Sequence, residues 1–579
     1  MPDTAAVNPA GLVRDWLRAF GDAMNGGGGI AGLFHDECFW RDVLAVTWRI
    51  DTVSGADAIA SGLQGGHPVR NARIDPDREA PQQVMRAGED CIEALIAFET
   101  DQGPGSGVVR LKPAADGGWR CWTLLTALEG LAEHPEAVGA NRPTGQSNSR
   151  DFRGPNWLDK RQEAQAYGDR DPAVLVVGGG QAGLAIAARL GALGVDTLIV
   201  DRHRRIGDNW RLRYHALTLH NQVQVNHMPY MPFPPCWPTY IPKDKLANWF
   251  EAYVEAMELN FWTGTEFRGG SYDEAAGCWT VEIVRDGETR TMRPRHVVMA
   301  TGVSGIANRP DIPALKDFAG PVLHSSEYRD GDDWSGKSAV VIGTGNSGHD
   351  IAHDLSSSGA GVTLVQRSPT LIVNIEPSAQ IPYGLYSEGP SLEDCDLIVL
   401  STPTELSRRS HKSFTKRSKE LDRDLLDGLV ERGFRLDDGE DGTGWQFKYL
   451  TRGGGYYFNV GASDMIIRGE IGLAQFGDID GFGAHTVRIS GEERSCDLVV
   501  LATGYQPQEV LVERLFGADV VDRVGPIWGF GEGQELRNMY CRTPQPGLFF
   551  IAGSLAQCRI NSKYLAVQIK AIEEGLIDA

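Results

Sequence analysis

The stretch AVLVVGGGQAGLAIAARLGALGVDTLIVDR, residues 173–202, is the part of the sequence that decides the fold. An apolar run, a glycine-rich turn, a helix-forming segment and a second apolar run ending in an acid follow one another. This order predicts a strand, a tight turn, a helix and a second parallel strand. We expect Gly178 to make the turn, Gly180 to let the backbone approach a pyrophosphate, and Gly183 to pack the helix closely on the strand.

The ends of this unit predict which parts of a dinucleotide it holds. The helix begins near Gln181 and Ala182, where free N–H groups and the positive end of the helix dipole favour phosphates. Asp201 follows the second strand and is placed to bind a ribose diol, with Arg202 beside it. Because FAD carries such a diol, we interpret this unit as an FAD site.

A second unit with the same glycine spacing lies in SAVVIGTGNSGHDIAHDLSSSGAGVTLVQRSPT, residues 338–370. Its predicted binding residues are the three glycines, the start of the helix and the end of the second strand: Gly343, Gly345, Asn346, Ser347, Gly348, Arg367 and Ser368. An arginine at this strand end pairs with a 2′-phosphate, which an acid would repel. The second unit therefore favours NADPH, although an arginine that is merely exposed there would leave NADH open as a donor.

Two further apolar strands end alike, in HVVMATG at residues 296–302 and DLVVLATGY at residues 497–505. We expect the turns at Thr301, Gly302, Thr503 and Gly504 to mark crossings between a cofactor domain and a domain inserted into it. The FAD domain is thus predicted to be split, with the NADPH domain between its halves.

Composition excludes several other classes of protein. The net charge of −21 disfavours nucleic acid and anionic membranes as partners. Nine scattered cysteines contain no CxxC pair, so the redox dithiol of a disulfide reductase is not expected, nor is a metal site. No apolar run approaches the ~18 residues of a membrane span, and the first residues lack a signal pattern. We expect a cytoplasmic protein that acts on small molecules.

The N-terminal part has a different pattern. Apolar residues at helical spacing in residues 12–24 predict a helix, and short alternating segments after it predict an antiparallel sheet. This α+β arrangement resembles the cone-shaped domains of the nuclear transport factor 2 (NTF2) and SnoaL group, which hold ligands or mediate assembly; the structural role is favoured. The fold class is α/β with two Rossmann-like dinucleotide-binding domains and an N-terminal α+β domain, divided as 1–132 (NTF2/SnoaL-like), 133–170 (linker), 171–330 (FAD, first part), 331–494 (NADPH, with a helical insertion) and 495–579 (FAD, second part).

The segment FAGPVLHSSEYRD, residues 318–330, lies between the two units. Phe318, Gly320, His324 and Tyr328 reproduce the FxGxxxHxxxY fingerprint, and the chain resembles class B flavin-dependent monooxygenases over about residues 172 to 579. Tyr328 stands where most Baeyer–Villiger enzymes have tryptophan, which favours the flavin-containing monooxygenase branch. The N-terminal extension looks like that of type II members, which are associated with ketone oxygenation and with use of both NADH and NADPH.

The resemblance implies a function. NADPH reduces FAD, the reduced flavin forms a 4a-(hydro)peroxyflavin with dioxygen, and a small substrate is oxygenated at a ketone, sulfur or nitrogen. An alternative is an NADPH oxidase or redox-signalling flavoprotein that releases hydrogen peroxide. A homodimer is compatible with the N-terminal domain.

The resemblance also implies roles for individual residues. His220 aligns with the family's active-site asparagine, and Asn221 takes that place if the alignment slips by one. A histidine that titrates near neutral pH could relay a proton there, whereas a histidine satisfied in a turn or core would not. Gly207 and Trp210 match the family's turn over the flavin ring. His324 and Tyr328 are the remaining site candidates, and for His324 we favour coupling of the NADPH domain to the flavin site over direct chemistry.

Overall fold

In the computed structural model, residues 8–144, 152–303 and 305–578 are described. The stretch 145–151 of the predicted linker lies outside these ranges. Within them, no helix is long and apolar enough to cross a membrane.

The N-terminal part combines helices with one mixed sheet. Its elements are α1 (Pro9–Asp22), β1 (Phe34–Val43), β2 (Ile50–Ser54), α2 (Ala56–Gly65), β3 (Arg70–Ile74), β4 (Gln82–Arg86), β5 (Glu89–Glu99), β6 (Pro104–Pro113) and β7 (Trp119–Leu128). The predicted first helix is present, and its apolar stripe is buried because Val13, Trp16, Leu17 and Phe20 face the sheet core. The strands run in the order β2-β1-β7-β6-β5-β3, with β4 also pairing with β5.

The next part builds a parallel sheet around the first glycine loop. Its elements are α3 (Trp157–Ala166), β8 (Val174–Val177), α4 (Gln181–Ala192), β9 (Thr197–Val200), α5 (Asp208–Arg211), β10 (Thr218–Gln222), β11 (Tyr240–Pro242), α6 (Lys243–Ala256), β12 (Asn260–Trp262), β13 (Thr265–Asp273), β14 (Cys278–Arg285), β15 (Glu288–Met292) and β16 (His296–Met299). Helix α3 begins inside the segment expected to be a linker, where Asn156 caps it.

The remaining residues build the second parallel sheet and return to the first. Their elements are β17 (Val322–His324), β18 (Ser338–Ile342), α7 (Asn346–Ser357), β19 (Gly361–Gln366), β20 (Leu371–Asn374), α8 (Leu392–Leu400), α9 (Thr404–Leu421), α10 (Arg423–Glu431), α11 (Gly444–Arg452), β21 (Tyr456–Asn459), α12 (Ala462–Arg468), β22 (Ile471–Gln475), β23 (Ile479–Gly483), β24 (Thr486–Ile489), β25 (Glu492–Ser495), β26 (Leu498–Leu501), α13 (Gln508–Phe516), α14 (Ala518–Val524), β27 (Leu548–Phe550) and α15 (Leu555–Glu573).

The two parallel sheets establish the fold class. The first has the order β12-β9-β8-β16-β27 and the second the order β17-β26-β18-β19-β22, and every pairing in both is parallel. Since β27 pairs with β16, the chain leaves the first sheet, forms the second, and returns. The α/β prediction with two Rossmann-like units is confirmed, whereas the likeness of the N-terminal part to NTF2 remains a prediction.

The core of the N-terminal sheet is shared with two later helices. Its buried residues form one cluster with Leu397 and Leu400 of α8 and Tyr564 of α15. A buried ion pair lies at the same boundary: Arg110 Nε is 2.8 Å from a carboxylate oxygen of Glu93, and Arg110 Nη2 donates to Ser401 Oγ at 2.8 Å. The N-terminal part is therefore packed firmly against the helices that follow β20.

Candidate functional site

The first glycine loop fits the backbone of a dinucleotide. Gly178 has φ of 106°, and a Cβ atom on it would lie 2.7 Å from the carbonyl oxygen of Ala300. A Cβ on Gly183 would lie 2.0 Å from the carbonyl oxygen of Gly178, so helix α4 can approach the turn only without a side chain there. The helix starts after Gly180, which leaves the first N–H groups of α4 without a side-chain cap and suited to a phosphate.

The carboxylate of Asp201 is joined to this loop. One oxygen accepts a hydrogen bond from Gly179 N at 2.7 Å, and the other accepts from His203 N at 2.8 Å with the His203 ring nitrogen also at 2.8 Å. Burial raises the pKa of Asp201, but these hydrogen bonds outweigh it and leave the pKa below its usual value. An ionised carboxylate with spare lone pairs suits a ribose diol, and the neighbouring Arg202 is exposed.

Other predicted flavin-side residues meet at the same end of the sheet. Trp210 Nε1 donates to Gln181 Oε1 at 3.3 Å, and Gln181 Nε2 donates to the carbonyl oxygen of Gly553 at 3.1 Å. Gly207 sits tightly in its turn, because a Cβ on it would lie 2.5 Å from the Ala247 carbonyl oxygen. Gly553 was not predicted, although the small residues that follow the apolar strand β27 were a signal for it.

The remaining predicted residues on this side lie in the same region. Ala182 is buried in α4. Thr301 and Gly302 follow β16 after one intervening residue, Ala300, and Gly302 has φ of 73°.

The second glycine loop repeats the geometry of the first. A Cβ on Gly343 would lie 2.2 Å from the Ala502 carbonyl oxygen, and one on Gly348 would lie 1.9 Å from the Gly343 carbonyl oxygen. Gly345 precedes α7, whose first residues are Asn346 and Ser347. Asn346 Oδ1 accepts a hydrogen bond from Phe458 N at 3.0 Å, which ties this helix start to β21.

The remaining predicted residues of the second unit lie near the ends of strands β19 and β26. Arg367 and Ser368 are exposed where β19 ends. Thr503 Oγ1 donates to the Asn308 carbonyl oxygen at 2.6 Å, and Gly504 has φ of 79°. The residues of both units fit the two dinucleotides predicted for them.

His220 and Asn221 lie on β10, where residues of the second half of the chain reach them. Gln380 Nε2 donates to the His220 carbonyl oxygen at 3.0 Å, and Asn221 Nδ2 lies 3.3 Å from Tyr383 Oη. The His220 ring packs edge-on against Phe458, with ring centres 5.2 Å apart.

The expectation that His220 titrates near neutral pH is wrong. Burial lowers its pKa to about 4, because the charged ring would lose its water without gaining a partner. A neutral imidazole at pH 7 donates one hydrogen bond and accepts another, but carries no charge.

Four aromatic side chains from residues 371–458 form a wall beside β10. This aromatic cluster consists of Tyr383, Trp445, Tyr456 and Phe458, with the Trp445 and Phe458 ring centres 4.8 Å apart. Trp445 also lines a cavity of about 740 Å³ between β20, α9 and the start of α11. The aromatic cluster thus contacts this cavity through Trp445 and the His220 ring through Phe458.

A second cavity, of about 490 Å³, has His220 in its wall. It lies between β10, β11 and α7, and Asp350 of α7 lines it. Tyr214 Oη donates to Asp350 Oδ2 at 2.6 Å, yet burial dominates and raises the pKa of Asp350 to about 7.

His324 and Tyr328 lie at the edge of the second sheet and are not part of the aromatic cluster. His324 is fully buried at the end of β17, and burial lowers its pKa. Tyr328 Oη donates to Asp354 Oδ2 of α7 at 2.6 Å. In the described part of the chain, no hydrogen bond or ring contact joins either residue to His220 or Asn221.

The described residues contain neither a metal-binding cluster nor a disulfide. Within the described ranges, no group of three His, Cys, Asp or Glu side chains is arranged to hold a metal ion. All nine cysteines lie within those ranges and are unpaired.

Comparison with known proteins finds a matching family model and similar sequences. A family model described as pyridine nucleotide-disulphide oxidoreductase matches residues 175–383. Indole-3-pyruvate monooxygenase YUCCA1 of Oryza sativa subsp. japonica is 32% identical over 338 residues, which cover 58% of this chain and 77% of that protein. Probable indole-3-pyruvate monooxygenase YUCCA10 of Arabidopsis thaliana is 30% identical over 340 residues, covering 58% and 82%.

Solved structures share the fold at lower identity. OTEMO with FAD bound superposes with a TM-score of 0.52 and 15% identity, covering 70% of this chain and 85% of that one. A cyclohexanone monooxygenase mutant from Rhodococcus sp. Phi1 bound to NADP⁺ gives a TM-score of 0.51 and 16% identity, covering 70% and 87%.

Proposed function

The chain belongs to the flavin monooxygenase family and is an FAD- and NADPH-dependent enzyme that oxygenates a small molecule, and we propose that this molecule is a carbonyl compound with an aromatic or cyclic apolar body. In the proposed reaction, a ketone, dioxygen, NADPH and a proton give an ester, water and NADP⁺. One oxygen atom enters the bond next to the carbonyl and the other leaves as water. Bound FAD, reduced by NADPH, supplies the activation of dioxygen.

The contact between His220 and the aromatic cluster carries this proposal. Phe458 touches the His220 ring, and Tyr383 holds the Asn221 amide. A substrate with a flat or cyclic apolar body would bury its surface against such aromatic faces. The relatives named above are called monooxygenases of indole-3-pyruvate, which is itself an aromatic compound with a ketone group.

We propose that His220 and Asn221 form the polar contacts of the site. Because His220 is neutral at pH 7, its imidazole orients a carbonyl or nicotinamide group by a hydrogen bond and adds no charge to a poorly hydrated site. Asn221 would offer its amide oxygen, since its Nδ2 already lies against Tyr383. Sulfur or nitrogen oxygenation needs less orientation of this kind, which is why we place ketones first.

The two glycine loops divide the cofactors between them. We propose that Gly178, Gly180, Gly183 and Asp201 hold FAD, and that the loop from Gly343 to Gly348 holds NADPH, as the close backbone approaches at both loops support. The domain boundaries given above are part of the same proposal. So are a cytoplasmic location, which the nine unpaired cysteines support, and a homodimer, which light scattering of the purified protein would test.

Product analysis tests the proposal. The purified flavoprotein is incubated with NADPH, labelled dioxygen and either phenylacetone, cyclohexanone or thioanisole, and both labelled product and hydrogen peroxide are measured per NADPH. We expect labelled ester in preference to sulfoxide. Peroxide equal to the NADPH consumed with every substrate would favour an oxidase and overturn the proposal.

Two variants localise the effect. Trp445→Ala should raise KM for the ketone about tenfold or more, because it removes a large aromatic contact. Trp157→Ala removes an exposed tryptophan of α3 and serves as the matched control.

A further inference from the structure

Gln366 at the end of β19 holds the position that Asp201 holds after β9. The two side chains are used differently. Asp201 accepts a hydrogen bond from its own glycine loop at Gly179, whereas Gln366 is completely buried and, among the described residues, makes no hydrogen bond to the loop from Gly343 to Gly348.

The amide of Gln366 is instead bound to Arg435. Gln366 Oε1 accepts from Arg435 N at 2.8 Å, and Gln366 Nε2 donates to the Arg435 carbonyl oxygen at 2.9 Å. The third contact, from Gln475 Nε2 to Gln366 Oε1 at 3.2 Å, completes the set. With its acceptor and a donor engaged in this way, Gln366 is a positioning residue for the backbone of Arg435.

This pairing brings Arg435 to the end of β19. Arg435 Nη2 donates to the Arg367 carbonyl oxygen at 2.7 Å. The segment is also held from the other side, since Thr370 N donates to the Arg435 carbonyl oxygen at 3.1 Å and Asp437 N to the Thr370 carbonyl oxygen at 3.2 Å. The Arg435 guanidinium therefore lies against the backbone of Arg367, at the strand end where a ribose would lie.

The charges around this pair leave both arginines available. Both side chains are exposed, and in the described part of the chain neither forms an ion pair. The nearest acids along the sequence already have partners: Asp437 pairs with Lys448, and Asp438 pairs with Lys419 at 2.6 Å. In a chain of net charge −21, two exposed arginines in contact at one strand end, neither in an ion pair among the described residues, mark a site for an anion.

We propose that Arg435, presented by Gln366, binds the 2′-phosphate of NADPH together with Arg367. A phosphate dianion accepts several charge-assisted hydrogen bonds, and two planar guanidinium groups match it better than one. Preference for NADPH over NADH would then depend on the inserted segment between β20 and β21, which carries Arg435, as well as on the nucleotide fold itself. This inference rests on the proposed place of NADPH at the second glycine loop.

Binding of small nucleotides tests the proposal without turnover. The full-length holoenzyme and the variants Arg435→Gln, Arg367→Gln and the double variant are titrated calorimetrically with 2′,5′-ADP and with 5′-ADP, which lacks the 2′-phosphate. We expect each single variant to weaken 2′,5′-ADP binding roughly 10- to 100-fold while 5′-ADP binding changes less than about twofold. Arg432→Gln, an exposed arginine three residues away, is the matched control.

Kinetics give a second readout, and failure of this inference can be distinguished from failure of the proposed function. In Arg435→Gln, KM should rise for NADPH and stay constant for NADH, with kcat and flavin content retained. Gln366→Met should also raise KM for NADPH relative to KM for NADH, because Arg435 would move. Unchanged 2′,5′-ADP affinity in Arg435→Gln, or equal loss for both nucleotides, would overturn the inference. Absence of oxygenated product would bear only on the proposed function, because nucleotide binding is measured separately.

Discussion

The ring nitrogen Nε2 of His324 lies 3.0 Å from the carbonyl oxygen of Gly504. This hydrogen bond joins the end of β17 to the turn that follows β26, while His324 Nδ1 lies 2.9 Å from Ser326 Oγ. Tyr505, next along the chain, packs edge-on against the His324 ring and receives a hydrogen bond on its Oη from Arg213 at 2.9 Å. Arg213 lies seven positions before His220. His324 thus connects the second sheet to the segment that carries the candidate site.

Replacing His324 should disturb the coupling of the two cofactor regions. In His324→Ala the Gly504 carbonyl oxygen loses its buried donor, at a cost of about 1–3 kcal/mol, and the turn is free to shift. We expect FAD to stay bound, with product per NADPH falling severalfold and hydrogen peroxide rising in its place. Oxygen consumption with and without catalase measures this, and exposed His485→Ala is the control. Normal coupled turnover in His324→Ala would contradict the coupling role.

Substitutions in the two glycine loops should impair different functions, flavin binding in the first loop and reduction by NADPH in the second. In Gly183→Ala the new methyl group meets the Gly178 carbonyl oxygen at 2.0 Å, and in Gly348→Ala it meets the Gly343 carbonyl oxygen at 1.9 Å. We expect Gly183→Ala to be purified without flavin, and Gly348→Ala to be yellow but reduced by NADPH at least tenfold more slowly. Flavin absorbance and anaerobic reduction provide the measurements.

A matched control lies in the same helix as Gly183. Gly191 in α4 has open space around it, since a Cβ atom added there would meet nothing within 4 Å. Gly191→Ala should keep its flavin and gain about 0.5–1 kcal/mol of stability, because alanine favours the helix. Flavin loss in Gly191→Ala, or full flavin in Gly183→Ala, would show that the close backbone approach is not what the first loop requires.

Local pattern was sufficient for the nucleotide units but not for the site. The strands and helices of both units follow from residues close in sequence, so β8, α4 and β9 were predictable from residues 173–202. The contacts of Tyr383 with Asn221 and of Arg435 with Gln366 join residues 162 and 69 positions apart, and periodicity carries no signal for such pairs.

Burial explains two further features that were not predicted from the sequence. The pKa of His220 depends on segments that cover it, including Phe458, and so the sequence could not provide it. The core shared between the N-terminal sheet and α8 was missed for the same reason, because the apolar residues of α8 do not indicate which surface they will meet.

Acid should destabilise the fold through three histidines that stay neutral in the folded protein. Burial lowers the pKa of His220, His349 and His411 to about 4 each. Since an unfolded histidine titrates near 6.5, the unfolded chain binds more protons between pH 6.5 and 4, and stability is lost as the pH falls through this window. Each such histidine contributes a slope of up to about 1.4 kcal/mol per pH unit.

The variant His411→Phe isolates one of these contributions. His411 packs edge-on between Phe414 and Phe447, with ring centres 5.4 Å apart in both pairs, so phenylalanine fits the environment. Asp42 and Asp350, whose pKa values burial raises to about 6 and 7, act in the opposite sense but cancel in the comparison with the parent protein. We expect the thermal midpoint of His411→Phe to fall less steeply from pH 6.5 to 4 than that of the parent protein. Exposed His485→Gln is the control. Parallel profiles for His411→Phe and the parent protein would contradict this.

Arg559 should stabilise both the fold and the segment behind His220. Its guanidinium binds Asp396 of α8 through two bonds of 2.7 and 2.8 Å, and Nη1 donates to the carbonyl oxygens of Val225 and His227 at 2.9 and 2.8 Å. Only 4% of Arg559 is exposed. Because Arg559→Met leaves a carboxylate with Tyr386 as its one remaining donor among the described residues, and removes the donor of two carbonyl oxygens, we expect a loss of about 3–5 kcal/mol.

A double variant separates the charge from the packing. Asp396→Leu combined with Arg559→Met should recover much of the thermal midpoint at saturating FAD, since no buried charge remains unpaired. It should still raise KM for the ketone more than it lowers kcat, because the loop at Val225 and His227 has lost its donor. Arg468→Met, which breaks an exposed pair with Glu470, should leave the thermal midpoint almost unchanged because solvent screens that pair. If Arg559→Met is no less stable than Arg468→Met, this buried network does not hold α8 and the candidate site together.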